Sequence, residues 1–213
     1  MGADSLSRIK LRREPKQERS IQRLDTILST AAKLIASKGV GGMKMTELAM
    51  AAGVPIGSVY QYFPEKAAII KALFDRHASA IQSKTAQTFA AVESLEEALD
   101  LTCAMIDWYY EAYRGDPTYL GVWMGTETDQ DLLRLNIQHS NRVAEIFQHA
   151  IKHLWPERGT VDLEARTHLF SHLIGASIRL AVLSDDDLAR RMLAEWKRVI
   201  RKTLFAPVIL PVA

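Results

Sequence analysis

An all-helical fold is predicted by three features of the sequence. Two short segments with apolar faces are separated by Gly53 and Pro55 within residues 46–63. Longer segments follow in which apolar residues recur every three or four positions, the period of an amphipathic α-helix. No stretch shows the alternating pattern of a convincing strand. We therefore expect a three-helix N-terminal domain with a helix-turn-helix, followed by a larger helical bundle.

Composition narrows the class of protein. Residues 1–68 hold eleven Lys and Arg against six Asp and Glu, whereas the remainder of the chain is net negative. The excess of positive charge in residues 1–68 fits a domain that binds DNA, although a solvated basic tail would produce the same excess. The single cysteine, Cys103, excludes an internal disulfide, and no apolar run approaches the roughly 20 residues that span a bilayer. These features predict a cytoplasmic protein without membrane contact.

Enzyme classes find no support in the sequence. It contains no phosphate-binding glycine loop, no Gly-x-Ser-x-Gly and no His-Glu-x-x-His. Cys103 lies among apolar neighbours, where a buried, inert thiol is expected. We predict no catalytic residues, no cofactor and no resident metal.

The first 19 residues are predicted to form a flexible basic arm, because Pro15 interrupts any helix there. Such an arm adds either specific phosphate or minor-groove contacts or only general attraction to DNA. Apolar residues at helical spacing then predict a helix from Ile21 to Lys38, with Gly39 as its stop.

The helix-turn-helix itself is predicted from residues 46–63. Gly53 can take a left-handed backbone conformation that ends the first helix, and Pro55 suits the first turn of the second. Val59, Tyr62 and Phe63 are spaced to turn inward together. The residues left facing outward are Ile56, Gly57, Ser58, Tyr60 and Gln61. A short helix with small and hydrogen-bonding side chains outside is what a major-groove reader needs.

A specific motif runs through the same region: Leu48-Ala49, then Ala52-Gly53-Val54, then Gly57-Ser58-Val59-Tyr60-Gln61-Tyr62-Phe63-Pro64-Glu65-Lys66. In order and spacing it closely resembles the tetracycline-repressor-like (TetR) family of bacterial transcription regulators, over about Ile21 to Phe74. The resemblance implies a DNA-binding domain over residues 20–66. The predicted DNA-binding residues are Lys44, Thr46, Pro55, Ile56, Gly57, Ser58, Tyr60, Gln61, Tyr62 and Lys66.

Two positions depart from the family pattern. Met43-Lys44 stands where the family usually has Thr-Ser or Thr-Thr, so we expect the helix cap to move to Thr46 and Lys44 to meet a phosphate as a point charge. Ile56 stands where related proteins often have a polar or basic residue, and it offers only apolar contact, for instance to a thymine methyl group.

The remaining helices follow from apolar periodicity and capping residues. Ser94 and Glu97 have capping-box spacing, and Gly115-Asp116-Pro117 separates two helices. Trp155-Pro156 is expected to close a third. The predicted ranges are Lys66–Ala91, Leu95–Arg114, Thr118–Thr126, Gln130–Leu154, Asp162–Leu183 and Asp186–Phe205. Residues 67–205 are expected to form the ligand-binding and dimerisation domain, followed by an apolar tail at 206–213.

An aromatic and methionine cluster in this second domain is a candidate effector site, and ordinary core packing is the competing interpretation. Its members are Met105, Trp108, Tyr109, Tyr113, Tyr119, Trp123, Met124, His139, Phe147 and Phe170. The family resemblance implies that this domain binds a small, largely apolar or aromatic molecule.

The last two helices carry more apolar surface than one bundle face needs. In the family this helix pair forms a four-helix interface between two subunits. The predicted dimerisation residues are Phe170, Leu173, Ile174, Ile178, Met192, Trp196 and Val199. We expect a homodimeric repressor that binds a palindromic double-stranded operator and releases it when effector binds. Two alternatives stay open: a regulator without a small-molecule effector, controlled by another protein, and a metal-responsive switch built on the pairs His149/His153 and His168/His172.

Overall fold

The computed structural model describes residues 9–12, 17–154 and 162–205, and these form nine α-helices and no strand. The helices are α1 (Glu18–Gly42), α2 (Met45–Ala51), α3 (Ile56–Tyr62), α4 (Lys66–Phe89), α5 (Leu95–Gly115), α6 (Pro117–Thr126), α7 (Gln130–Ile151), α8 (Leu163–Val182) and α9 (Asp186–Thr203). A short 3₁₀ helix, Lys152–Leu154, follows α7. The predicted all-helical class is confirmed. Pro15, Trp155, Pro156 and the tail at 206–213 lie outside the described residues.

Local sequence signals account for most helix ends. Gly39 has φ 70°, which breaks the helical geometry of α1 where a stop was predicted. The backbone N–H of Glu97 donates to Ser94 Oγ at 3.1 Å, and the Glu97 carboxylate accepts from the backbone N–H of Glu93 at 2.8 Å. The predicted cap of α5 is therefore present. At α6, Asp116 accepts from the backbone N–H of Thr118, and Pro117 occupies the first turn.

The chain divides into two compact units, and the division falls inside α4 and inside α7. The first unit holds the described residues up to Ser79 together with Asp116–Asn136, and the second holds Ala80–Gly115 and the described residues from Ile137 onward. α6 thus groups with the helix-turn-helix. The boundaries predicted at 66/67 and 205/206 remain predictions.

The first unit packs α1 closely against α6. A Cβ on Gly121 would lie 2.7 Å from Ile35 Cγ2, and one on Gly125 would lie 2.6 Å from Val40 Cγ2. Only glycine therefore permits this approach of the two helices. The largest fully buried side chains of this unit are Ile9, Ile27, Leu28, Ile35, Met43, Leu48, Phe63, Ile69, Ile70 and Leu132.

The second unit is built from the end of α4 with α5, most of α7, α8 and α9. Ion pairs tie α9 to α5: Lys197 Nζ lies 2.7 Å from Asp107 Oδ1, Arg201 lies 2.6 Å from Asp100 Oδ1, and Arg114 lies 3.0 Å from Asp186 Oδ1. The core of this unit includes Ala98, Ile106, Ile151, Ile178 and Ile200, none of which exceeds 1% exposure. Among the described residues of the whole chain, no helix is long and apolar enough to cross a membrane.

Candidate functional site

The turn between α2 and α3 has the geometry that the sequence predicts. Gly53 has φ 64°, and the N–H of Val54 donates to the carbonyl oxygen of Ala49 at 3.0 Å. α3 is anchored by three residues that were expected to point inward: Val59 and Phe63 have no exposed surface, and Tyr62 is 3% exposed. These contacts hold α3 in one orientation, so its opposite face is presented to solvent.

The outward face of α3 consists largely of the residues predicted to read DNA. Ile56 is 38% exposed and Tyr60 is 41% exposed. Pro55, Gly57 and Gln61 are also exposed, and Ser58 is half-buried. Isoleucine and tyrosine offer apolar contact, while serine, tyrosine and glutamine offer hydrogen bonds to base edges or phosphates. Contact between these residues and DNA remains a prediction.

Two other predicted DNA contacts, Tyr62 and Lys66, lie within the packing of the first unit. The hydroxyl of Tyr62 donates to the carbonyl oxygen of Ser20 at 3.5 Å. Lys66 Nζ donates to the carbonyl oxygens of Val40 at 2.9 Å and Gly41 at 3.4 Å. Both side chains therefore hold α1 against its neighbours, a structural role that the sequence pattern does not distinguish from phosphate binding.

The start of α2 differs from the expectation. The N-cap residue is Lys44, which makes no side-chain cap bond, and α2 begins at Met45, so the predicted shift of the cap to Thr46 is wrong. Met43, which precedes α2, is fully buried and fixes the chain in the core two residues before the helix begins. Lys44 and Thr46 are exposed on this end of α2. Glu47, in the first turn, pairs with Lys38 of α1.

Part of the predicted flexible arm packs on the helix-turn-helix. Ile9 has no exposed surface, and the backbone N–H of Arg12 donates to the carbonyl oxygen of Tyr62 at 2.9 Å. The signal in the sequence is limited to Ile9 and Leu11 within a basic run. α1 also begins three residues earlier than predicted, at Glu18. The arm prediction is therefore wrong for residues 9–12, while Arg8, Arg13 and Lys16 lie outside the described residues.

The predicted effector-binding cluster is divided between the two units. Tyr119, Trp123 and Met124 belong to the first unit. There Tyr119 stacks on His77 with ring centroids 3.9 Å apart, and Trp123 meets Phe74 edge-on at 4.5 Å. The members in the second unit are Met105, Trp108, Tyr109, Tyr113, His139, Phe147 and Phe170. Periodicity places all ten on helix faces but does not show which helices adjoin.

Within the second unit, the end of α4 meets both α5 and α7. Gln82 Nε2 lies 3.2 Å from His139 Nδ1, and Phe89 meets Phe147 edge-on at 4.8 Å. His139 is 9% exposed, and burial lowers the pKa of its imidazole from 6.5 to about 4. His139 is thus a largely buried, neutral histidine whose Nδ1 lies within hydrogen-bond distance of an amide.

The predicted dimerisation residues differ widely in how much of their surface is exposed. Leu173 is 37% exposed and Val199 is 43% exposed, whereas Ile178 is 1% exposed. The side chain of Ile178 therefore serves the core of its own protomer. Phe170 stacks on Trp196 with centroids 5.6 Å apart. Met192 and Ile174 are half-buried, and Leu169, Leu180 and Leu183 are each more than half exposed.

The histidine pairs do not form a metal site in the described part of the chain. No group of three or more His, Cys, Asp or Glu residues there is placed to hold a metal ion. His168 Nδ1 instead lies 2.8 Å from the carbonyl oxygen of Glu164 and 3.3 Å from Gln148 Nε2.

Comparison with known families agrees with this architecture. The family described as "Bacterial regulatory proteins, tetR family" matches residues 27–73. The domain described as "Tetracyclin repressor-like, C-terminal domain" matches residues 93–208, which is more than half of the chain. No curated protein matches the chain.

Solved structures show the same fold. A TetR-family transcriptional regulator from Pectobacterium atrosepticum aligns with a TM-score of 0.63 and 15% identity, covering 93% of this chain and 100% of its own. FadR from Bacillus subtilis, solved with stearoyl-CoA, aligns with a TM-score of 0.63 and 18% identity over 86% of this chain and 98% of its own. RolR, solved with resorcinol, aligns with a TM-score of 0.57 and 18% identity over 89% and 98%.

At these identities the solved structures establish the fold alone, and the family assignment rests on the two matched domains. The N-terminal match covers the helix-turn-helix with its exposed α3 face, and the C-terminal match begins just before α5. The chain is therefore a member of the tetracycline-repressor-like (TetR) family of bacterial DNA-binding transcription regulators.

Proposed function

We propose that the protein is a homodimeric repressor that binds a palindromic operator through α3 and releases it when a small effector binds the second unit. The observation that carries this proposal is the division of α3 into two faces. Val59, Tyr62 and Phe63 are buried, while Ile56 and Tyr60 are each more than a third exposed on the opposite side. An exposed tyrosine and isoleucine on a rigidly held short helix suit the major groove.

The dimer is supported by apolar surface on α8. Leu169, Leu173 and Leu180 are spaced four and seven residues apart, which places them along one face of the helix. Their exposed fractions are 56%, 37% and 58%. A second copy would remove this surface from water and would place two α3 helices about one DNA turn, roughly 34 Å, apart.

Control by a small molecule is supported by the matched C-terminal domain and by the two neighbours solved with ligands, stearoyl-CoA in FadR and resorcinol in RolR. α4 contributes residues to both units, so it is the element that we propose carries the change. Effector favours a conformation in which the two α3 helices no longer match successive major grooves, and the operator is released.

The test is binding of the purified protein to the DNA that flanks its own gene, measured over a salt series with Tyr60→Ala alongside. We expect tight binding that survives excess random DNA and is weakened by Tyr60→Ala. Ile137→Ala is the matched control, since Ile137 is 45% exposed on α7 and lies outside α3. Weak, steeply salt-dependent binding that Tyr60→Ala leaves unchanged would contradict a specific regulator.

A further inference from the structure

The end of α3 is bonded by the N-terminal segment of the chain, residues 9–12. The last carbonyl groups of a helix lack partners within the helix. The carbonyl oxygen of Tyr62, the final residue of α3, accepts from the backbone N–H of Arg12 at 2.9 Å. The N-terminal segment therefore supplies a hydrogen-bond partner that α3 itself cannot provide.

The N-terminal segment has an apolar side and a basic side. Ile9 has no exposed surface and Leu11 is half-buried, whereas Lys10 and Arg12 are exposed. Burial of a complete isoleucine side chain offsets part of the entropy that is lost when four residues are ordered. Ile9 therefore anchors the segment, and two cationic side chains are left in solvent.

Tyr62 links the N-terminal segment to the rest of the helix-turn-helix. Its side chain is buried, and its hydroxyl donates to the carbonyl oxygen of Ser20 at 3.5 Å, near the start of α1. Its backbone carbonyl group is the one that Arg12 bonds. α3 is thus held at both ends, by the turn at Gly53 before it and by the junction at Tyr62 after it.

The place of the two cations matters because α3 is short. Its seven residues span about 10 Å, whereas the major groove is about 12 Å wide and is bordered by phosphates. The backbone of Arg12 lies at the end of α3, and the Cα atom of Lys10 lies within about 7 Å of that of Arg12. With α3 in the groove, both side chains would lie at its border, where phosphates rather than base edges are within reach.

We propose that the N-terminal segment is a fixed part of the DNA-binding surface. Ile9 is a positioning residue that holds the segment in the first unit, and the side chains of Lys10 and Arg12 bind phosphates at the border of the groove that α3 reads. The alternative is a tail that adds only general attraction, for which the place of each cation is unimportant. This inference rests on the proposed function, since it assigns further contacts to the same operator.

Operator binding over a salt series tests the two phosphate contacts. Lys10→Ala and Arg12→Ala are each expected to weaken binding about fivefold near 0.1 M salt. Each should also lower the slope of log K against log salt by about 0.9, the value for one phosphate. Lys152→Ala removes the same charge from an exposed residue of the second unit and is expected to bind as the wild type does.

Ile9→Asn separates a fixed segment from a tail, because it keeps every positive charge and removes only the apolar anchor. It is expected to lower the slope about as much as Lys10→Ala and Arg12→Ala do together. Adding Lys10→Ala to Ile9→Asn should then have little further effect, since the contact is already lost. Ile9→Val, which keeps the anchor, should bind as the wild type does. Thermal unfolding is measured first, and Leu11→Asn, at the half-buried position, replaces Ile9→Asn if that variant is unstable.

Hydrogen exchange without DNA tests the docking of the segment by itself. The backbone amide of Arg12 is expected to exchange slowly in the wild type, because it is bonded to Tyr62, and to lose this protection in Ile9→Asn. Three results would each overturn the inference. They are an Arg12 amide that exchanges as in an unstructured peptide, an Ile9→Asn variant that binds operator normally, and an unchanged salt slope in both Lys10→Ala and Arg12→Ala.

The two proposals fail separately, because phosphate contacts do not depend on the DNA sequence. Specific operator binding that none of these variants alters would keep the repressor and contradict the fixed segment. A wild type without specific binding would contradict the repressor. The same variants on random duplex DNA would still show, through the salt slope, whether the two cations meet phosphates.

Discussion

The ammonium of Lys66 lies 2.9 Å from the carbonyl oxygen of Val40, so the first residue of α4 caps the last turn of α1. Carbonyl groups at a helix C-terminus lack intrahelical partners, and a lysine there both satisfies them and complements the helix dipole. A second, longer bond reaches Gly41 at 3.4 Å. The start of α4 is thereby tied to the end of α1 within the DNA-binding unit.

Replacing Lys66 with methionine is expected to lower the free energy of unfolding by about 1 kcal/mol, because a carbonyl bond is lost. Operator affinity should fall with little change in its salt dependence. Lys44→Met is the matched control: it leaves stability intact but should reduce the slope of log K against log salt by about 0.9. Denaturant unfolding and DNA titrations check both variants. A reduced slope in Lys66→Met would identify Lys66 as a phosphate contact instead.

Gly125→Ala is expected to destabilise the first unit by roughly 1–3 kcal/mol, the usual cost of overpacking. The added methyl would lie 2.6 Å from Val40 Cγ2 and 3.4 Å from Ile70 Cγ2, so α6 must move away from α1. Gly115→Ala is the control, since nothing lies within 4 Å of its added methyl. Thermal unfolding compares the two, and equal stability would show that the α1–α6 contact is loose.

Gly57→Ala is expected to stabilise the protein by up to about 1 kcal/mol, because glycine is a poor helix former and nothing lies within 4 Å of the added methyl. If the backbone of α3 approaches DNA closely at this position, the same variant loses operator affinity. The two measurements are thermal unfolding and operator binding. A variant that is more stable and binds normally would show that the backbone of α3 does not approach DNA closely at Gly57.

Stability is expected to fall as the pH is lowered through the range in which His139 would protonate in the unfolded chain. The pKa of His139 drops from 6.5 to about 4 on folding, so the unfolded state binds the proton first. Relative to its value above about pH 7, the free energy of unfolding should be about 2 kcal/mol lower near pH 5. Burial also lowers the pKa of His77, against the opposing effect of Asp116, and adds to the same trend.

Denaturant unfolding of wild type and His139→Gln at several pH values checks this prediction. The variant cannot protonate at position 139, so it should keep only the shallower dependence that His77 contributes. Parallel curves for the two proteins would mean that His139 titrates normally in the folded state.

Leu180→Glu is expected to produce monomers, because Leu180 is 58% exposed on the α8 face that we propose for the dimer. A carboxylate opposite its own copy would be both desolvated and repelled. Sedimentation velocity measures the assembly state, and affinity for a full palindrome should fall with it. Met50→Glu alters a residue that is 82% exposed on α2 and should remain dimeric. A dimeric Leu180→Glu protein would place the interface elsewhere.

Helix ends, caps and inward faces depend on residues a few positions apart in the chain, and they could be predicted from the sequence. Gly39 and Gly53 take positive φ where stops were predicted, and Ser94 with Glu97 caps α5. Such signals are local, because backbone conformation and capping involve residues only a few positions apart. The inward face of α3 followed from helical spacing for the same reason. Local signals were therefore enough to predict the order of the helices, the turn between α2 and α3 and the family, although not where α1 and α2 begin.

The roles of individual side chains were decided by tertiary packing. Lys66 and Tyr62 match DNA-contact positions, yet Lys66 bonds the end of α1, and Tyr62 is buried with its hydroxyl on Ser20 near the start of α1. Tyr119 stacks on His77 in the first unit, whereas His139 pairs with Gln82 in the second. These partners lie from 26 to 57 residues apart in the chain, so no local pattern encodes them. The contacts between helices depend on how all the helices together exclude water from the core. They are therefore seen only in the folded chain.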